Sequence, residues 1–241
     1  MGPNRDGGRR PQTEPGPVRS TPAPTTSPPP GPPAEVGVRP GHPDDAPAAA
    51  ALHTGGISEG FLALLGPAFL GRLYRRICLE PGSFLLVATS GGAVVGFIAG
   101  SDRVGDLYRS FLWRDGLAAA SSAWRPLLTR WRRVAETLRH GSSGGAGTGR
   151  GSELLAVAVD DRWRGQGVGT RLVEAFLAEV VRRGASAAYV VVGADNAPAV
   201  SLYQRSGFAS GATFELHPGT RSLVMQWVRP GVAPEPGTPR T

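Results

Sequence analysis

The residues best suited to chemistry lie in one stretch, Val157–Leu172, which reads V-A-V-D-D-R-W-R-G-Q-G-V-G-T-R-L. A short apolar run ends in Asp160 and Asp161, passes through an Arg/Gly-rich turn, and re-emerges with helical spacing. Gly165, Gly167 and Gly169 remove side chains where a ligand must lie close against the backbone. The free N–H groups and partial positive charge of a helix start suit a phosphate. Together these features describe a site for a pyrophosphate-bearing cofactor. The spacing is neither that of a P-loop, G-x-x-x-x-G-K-S/T, nor that of the dinucleotide fingerprint, G-x-G-x-x-G. Other reactive residue types are poorly placed. The four histidines are scattered without metal-ligand spacing, so no metal is expected. The single cysteine, Cys78, falls on an apolar stripe, where it reads as a small buried hydrophobe.

The flanking sequence supplies the elements that must position this stretch. Residues 1–34 hold 11 of the 23 prolines and almost nothing apolar, and such a segment is expected to be a disordered arm. Val36–Arg39 reads as an opening strand. Asp44 and Asp45 sit where an N-cap belongs, with Pro47 in the first turn of a helix running to His53 and broken at Gly55-Gly56. A second helix restarts at Ser58, carries Phe61, Leu64, Leu65, Ala68, Phe69, Leu73, Ile77 and Cys78 at helical spacing, and is bent by Pro67. Phe84–Thr89 and Ala93–Ser101, joined by Ser90-Gly91-Gly92, form a hairpin signal.

Residues 102–150 stand apart from this pattern. Trp124, Leu127, Leu128, Trp131, Val134, Ala135 and Leu138 follow a helical stripe, and residues 102–140 hold eight arginines against four acidic residues. Packing on its own domain is the expected role of that stripe, with contact to a membrane surface through 124–139, or closure over an anionic acceptor, as the alternatives. A flexible linker follows at 141–151. Strands are expected over Glu153–Val159, Ala187–Gly193, Phe208–Leu216 and Ser222–Val228. Helices are expected from the glycine turn to Arg183 and over Ala197–Arg205. Residues 35–229 thus form the folded domain, with 102–150 inserted, and 230–241 return to a Pro/Gly-rich disordered tail.

The chain carries a net charge of +7, and all 26 of its basic residues are arginine. With so much Ala, Gly and Pro, that excess reads as a coding bias, and no nucleic-acid partner is expected. One cysteine cannot make a disulfide framework, no apolar run is long enough to span a bilayer, and no signal-peptide core is evident. These features point to a cytoplasmic protein and leave a homodimer open.

Arg164-Gly165-Gln166-Gly167-Val168-Gly169, behind one strand and ahead of a helix, resembles the cofactor motif of the GNAT superfamily of acetyl-CoA-dependent N-acetyltransferases. About thirty residues later, Asp195–Phe208 resembles the same family's N-x-x-A-x-x-L-Y-x-x-x-G-F segment. The resemblance covers residues 36–228 and implies an α/β (α+β) fold: a mixed, mostly antiparallel sheet flanked by helices. It implies acetyl-CoA as co-substrate, with the N–H groups of Arg164, Gly165, Gln166, Gly167, Val168, Gly169 and Thr170 around the pyrophosphate. Main-chain groups of Val157 and Val159 would pair with the pantetheine arm where the strands at 153–159 and 187–193 splay apart. An N–H near Ala158 or Val159 would polarise the thioester carbonyl. Asn196 would bond the arm, cap the next helix, or both, with Ala199 beside it. Tyr203 matches the tyrosine that protonates the departing thiolate, and Glu153 the glutamate that serves some relatives as base. Tyr189, Glu215 and His217 are weaker candidates.

The reaction implied is acetyl transfer to a primary amine of a small molecule, with an amino sugar favoured, or of a protein. The alternatives are a ribosomal-protein-type N-terminal acetyltransferase and a non-catalytic acyl-CoA-binding module.

Overall fold

Seven apolar or β-branched runs pair into one sheet. The computed structural model describes residues 2, 35–57, 66–114, 151–217 and 220–232. The chain divides into two units at Pro33/Ala34, and Gly2 is the one described residue of the first. The fold below is that of the second unit. In chain order it runs β1 (Gly37–Pro40), α1 (Ala46–Gly56), α2 (Pro67–Leu79), β2 (Ser83–Ser90) and β3 (Ala93–Ser101). A helical stretch over 104–114, here α3, follows. Then come β4 (Gly151–Val159), α4 (Val168–Arg182), β5 (Ala187–Gly193), α5 (Ala197–Arg205), β6 (Ala209–His217) and β7 (Thr220–Val228).

The strand order is β1-β2-β3-β4-β5-β7-β6. Every neighbouring pair is antiparallel except β4 with β5. The sheet is therefore mixed, mostly antiparallel and flanked by helices, as the sequence implies. Alternation along the strands sends side chains to two apolar layers. On one face Phe84, Leu86, Ile98 and Leu154 meet Val168, Leu172, Val173, Phe176 and Val180 of α4, spaced as one helical stripe. On the other, Leu85, Val87, Phe97 and Ala99 meet α1, α2 and α3 through Ala49, Leu70, Tyr74, Ile77, Leu107 and Phe111. Each large side chain buried this way contributes about 1.5–3 kcal/mol.

The structure corrects the sequence reading in three places. α1 continues through Gly55-Gly56 rather than ending before them. Asp45 stands at its N-cap, yet its carboxylate takes the Arg39 guanidinium at 2.7 and 2.8 Å and the His42 N–H at 2.7 Å instead of capping. Pro67 does not bend a helix but begins one: at the first position its missing N–H is no loss, and Gly66 precedes it as N-cap. The buried stripe of α2 accordingly includes Leu70 and Tyr74, and Ala68 is exposed. The arm at 1–34, the helix restart at 58–65, the basic stripe at 124–139, the linker at 141–150 and residues 233–241 of the tail lie outside the described residues, Gly2 excepted.

Between α1, α2 and the sheet sits a buried polar pair. His53, 4% exposed, places Nδ1 2.6 Å from the Tyr74 hydroxyl and stacks on Phe97. Burial drives the imidazole down to about 4, so it is neutral at physiological pH. The unfolded chain takes up a proton near pH 6.5 and the folded one only near 4, so acidification through that window favours unfolding. We expect the native protein to lose up to about 3 kcal/mol of stability between pH 7 and 4 from this residue. Urea titrations of His53→Gln should show a correspondingly flatter pH dependence; an unchanged slope would remove His53 as its source.

Candidate active site

The sheet opens in its middle, and the opening has a local cause. Along β3 and β4 the partners run Gly96 with Val159, Phe97 with Ala158, Ile98 with Val157 and Ala99 with Ala156, then jump to Gly100 with Leu154. Leu155 is the extra residue of a β-bulge, which bends its strand and strengthens the local twist. Leu155 and Ala156 consequently both pack on the face that carries α1 and α2. The parallel pairing of β4 with β5 covers only Gly151–Leu154 against Ala187–Val190. Past that point β4 keeps β3 and β5 keeps β7, and the two strands are no longer joined. The splay expected between 153–159 and 187–193 is present, and it begins at the bulge.

Antiparallel alternation then says which backbone groups face the gap. The Asp160 N–H donates to the Val95 carbonyl at 2.9 Å. One residue back, Val159 therefore turns its N–H and C=O away from β3, as does Val157, whereas Ala158 turns its own toward Phe97. Of the two residues offered for a carbonyl-polarising N–H, Val159 faces the open side and Ala158 does not. The Val159 carbonyl is met there by Arg164 Nε at 3.3 Å.

The glycine turn sits at the end of β4. Gly165 and Gly167 have φ of 74° and 79°, a region other residues rarely enter, and Gly167 is the N-cap of α4. Among the described residues no side chain caps this helix, and the first intrahelical bond runs from the Arg171 N–H to the Gly167 carbonyl. The N–H groups of Val168, Gly169 and Thr170 thus point out of the helix start without a capping acceptor. A Cβ on Gly169 would come 3.4 Å from Leu202 of α5, an ordinary contact. The two side chains of the motif are engaged locally. Arg164 pairs with Asp161 at 2.9 Å and is half exposed, and Gln166 donates to the Arg162 carbonyl at 2.8 Å.

The other candidates fall on both sides of the gap. Asn196 is the N-cap of α5, accepting from the Ala199 N–H at 3.2 Å, so that N–H is already used. Tyr203 lies in the α4-side core, 4% exposed, its ring 5.6 Å from that of Phe208. Burial holds its phenol well above the ordinary value, so it keeps its proton at neutral pH. Glu153 faces the opposite layer, half-buried, and burial raises its carboxyl. Tyr189 is its register partner on β5 and accepts from Gln226 Nε2 at 3.2 Å. Glu215 is exposed on β6, and His217 ends that strand. Cys78 is pushed up to about 11, mainly by burial, which suits an inert thiol. Among the described residues no three His, Cys, Asp or Glu side chains group to hold a metal ion, and no helix is long and apolar enough to cross a membrane.

The bulge at Leu155 and the aromatic residues of α3 are absent from the sequence reading. Leu107, Tyr108 and Phe111 carry the i, i+1, i+4 spacing that would have marked an inward helix face. The cap gives a direct test of the α5 geometry. Asn196→Ala should lower stability by about 1 kcal/mol in urea denaturation; no loss would mean that the Asn196–Ala199 bond does not carry the helix start.

Residues 58–208, more than half of the chain, match the model of the acetyltransferase (GNAT) family. Over 57 residues, 24% of this chain, it is 40% identical to the mycothiol acetyltransferase of Corynebacterium aurimucosum. Over 55 residues, 23% of this chain, it is 38% identical to the ribosomal protein bS18-alanine N-acetyltransferase of Escherichia coli K12. These matches span 19% and 37% of the lengths of those relatives. In three dimensions the chain resembles Ard1 from Thermoplasma volcanium with a TM-score of 0.53 at 20% identity, over 80% of this chain and 97% of that one.

Proposed function

The chain belongs to the acetyltransferase (GNAT) family, and from that premise we propose that it transfers an acetyl group from acetyl-CoA to a primary amine. The observation that carries this reading is the gap between β4 and β5, with unpaired backbone along one wall and the uncapped start of α4 at its mouth. The gap suits an extended amide-bearing arm, which would add to β4 as a strand does. The helix start suits the pyrophosphate at the end of that arm.

In this reading Val157 and Val159 hold the pantetheine amides, and the N–H groups of Gly167, Val168, Gly169 and Thr170 hold the phosphates. The Val159 N–H polarises the thioester carbonyl as charge develops on its oxygen. The amine nitrogen bonds to the acyl carbon, the carbon–sulfur bond breaks, and the ammonium proton passes to Glu153, directly or through water. Tyr203 supplies a proton to the leaving thiolate. Its raised value keeps the phenol intact until that charge appears.

The acceptor is a small-molecule or protein amine. One relative is named for mycothiol and another for an alanine of ribosomal protein bS18. A cytoplasmic site of action fits a chain with one cysteine.

Acetyl-CoA at a hundred times its Kd should stabilise the fold by about 2.7 kcal/mol, visible as a rise in Tm. Tyr203→Phe should keep that rise and lose at least tenfold in turnover, followed by thiol release; equal turnover would remove the proton-donor role. For Glu153, burial favours the protonated carboxyl, so the ionised base is lost on acidification at a pH above the ordinary carboxylate range. The acid limb of kcat/KM should sit there in the native enzyme. In Glu153→Gln that limb should vanish, with turnover down about 10²–10⁴-fold. A limb that survives the substitution belongs to another group.

A further inference from the structure

A second recess opens at the start of β4, at the opposite end of the strand from the gap. It is a cleft of about 670 Å³ whose walls include Glu80, Gly82, Asp102, Arg103, Asp106 and Arg183. Glu80 is the C-cap of α2 and Arg183 that of α4, so two helix ends meet there. The 15 residues of α4, about 22 Å of helix, separate this cleft from the uncapped start at Gly167. The Ser83 N–H closes a turn onto the Glu80 carbonyl at 2.9 Å, and the Asp102 N–H reaches the Gly82 carbonyl at 2.8 Å. A Cβ on Gly82 would come 3.5 Å from that of Arg103, so the Arg103 side chain starts directly against the turn. Gly184 keeps the rim open: a Cβ there would meet nothing within 4 Å.

Most of the charge around the cleft is committed within the fold. Arg183 donates to Glu179 at 2.7 Å, to Asp102 at 3.2 Å, and to the Pro81 and Ser83 carbonyls at 3.0 and 3.1 Å. Its guanidinium also lies 4.5 Å from the centre of the Phe84 ring. Asp102 accepts in addition from the fully buried Ser152 hydroxyl at 2.6 Å. Asp106 takes the Arg109 guanidinium at 2.7 Å. Two charges are left over. Among the described residues no hydrogen bond or ion pair engages the half-buried Glu80 carboxylate. Arg103 comes no closer to Asp106 than 3.9 Å, with its side chain 75% exposed, and an exposed pair at that distance holds a side chain weakly. The cleft thus presents one free carboxylate and one nearly free guanidinium above a floor fixed by Arg183 and Asp102.

We propose that this cleft binds a free amino acid as its zwitterion, with the ammonium on Glu80 and the carboxylate on Arg103. An ammonium group carries three donors and no acceptor, which a carboxylate complements. A guanidinium offers the ligand carboxylate two parallel N–H groups. Both contacts are charge-assisted, and they gain strength where the cleft walls exclude water. A longer peptide holds its two termini apart, so the single amino acid is the form that presents both charges at once. The volume falls within the range of about 300–1,000 Å³ usual for small-ligand pockets, and Pro81 and Ala185 line it beside the charges. The ligand's side chain is therefore uncharged, because a third charge would find the remaining groups already paired. This inference stands on the cleft alone and does not depend on the acetyl-transfer reading.

The test is calorimetric titration of the full chain with L-leucine, L-leucinamide and N-acetyl-L-leucine. The amide keeps only the positive end of the zwitterion, and the acetyl compound only the negative end. Native protein should bind L-leucine at least tenfold more tightly than either. Glu80→Gln should weaken L-leucine at least tenfold and leave N-acetyl-L-leucine unchanged. Arg103→Ala should weaken L-leucine as much and leave L-leucinamide unchanged. Leucinamide binding as tightly as leucine would reduce the cleft to a site for cations and overturn the zwitterion. Leucine affinity that survives both substitutions would put the amino acid elsewhere, such as the gap at the other end of β4, and overturn the site. So would native protein that takes up no L-leucine at millimolar concentration. The ligand series on native protein decides the question even where a variant fails to fold.

Discussion

A buried strand with unpaired backbone on one side is costly, because each N–H and C=O without a partner forfeits a hydrogen bond. β4 carries that cost from Leu155 to Val159, where it has β3 on one flank and, among the described residues, no strand on the other. The bulge makes the arrangement stable: it turns two successive side chains, Leu155 and Ala156, into the same apolar layer and bends β4 off the line of β5. Once the strand is bent, β5 can follow β7 through Gly193 without dragging β4 along. Everything proposed for the site depends on this one departure from regular pairing.

The two faces of the sheet then divide the work. α4 lies on one face, and its own burial through Leu172, Val173 and Phe176 fixes where its N-terminus ends up, next to the end of β4. That terminus is left uncapped because Gly167, with no side chain, occupies the capping position. Tyr203 approaches from the same side. Glu153 belongs to the other face, among α1, α2 and α3. Tyr203 and Glu153, the two proton handlers of the proposed reaction, are therefore separated by the sheet itself. Burial raises both, keeping the phenol protonated and holding the carboxyl closer to the range where it can exchange a proton.

The local features were readable because they are written in adjacent residues. Gly165-Gln166-Gly167-Val168-Gly169 announces a backbone-lined turn by composition alone, and the β-branched run at Ala187–Gly193 announces a central strand. The hairpin at Ser90-Gly91-Gly92 is similarly local. The bulge is different. Leu154-Leu155-Ala156 looks like uninterrupted strand, and only the register against Ala99 and Gly100 reveals the extra residue. Pro67 misled for a related reason, since its ring is compatible with a bend inside one helix or the start of another. What decides is Gly66, whose φ of 83° ends the preceding chain direction. His53 and Tyr74 were invisible as a pair because they stand on two helices and meet only through the packing of α1 on α2.

The same reasoning explains why the cofactor half of the site was legible and the acceptor half was not. A pyrophosphate and a pantetheine arm are met mostly by backbone, so the sequence signature is a pattern of glycines and strand residues that permits close approach. An amine is met by side chains drawn from several elements, and their identities have meaning only after the helices have packed. Tyr108 illustrates this: in sequence it is one aromatic residue among the arginines of an insertion. In the fold, Leu107 and Phe111 on either side of it are buried in the apolar layer against which Leu155 and Ala156 of β4 pack. The start of the insertion thus adds to the apolar layer on one face of the sheet without altering the pairing of β4 with β3. In the proposed reaction, that separation lets one sheet keep its acyl-transfer geometry while the helices laid over it set the choice of amine.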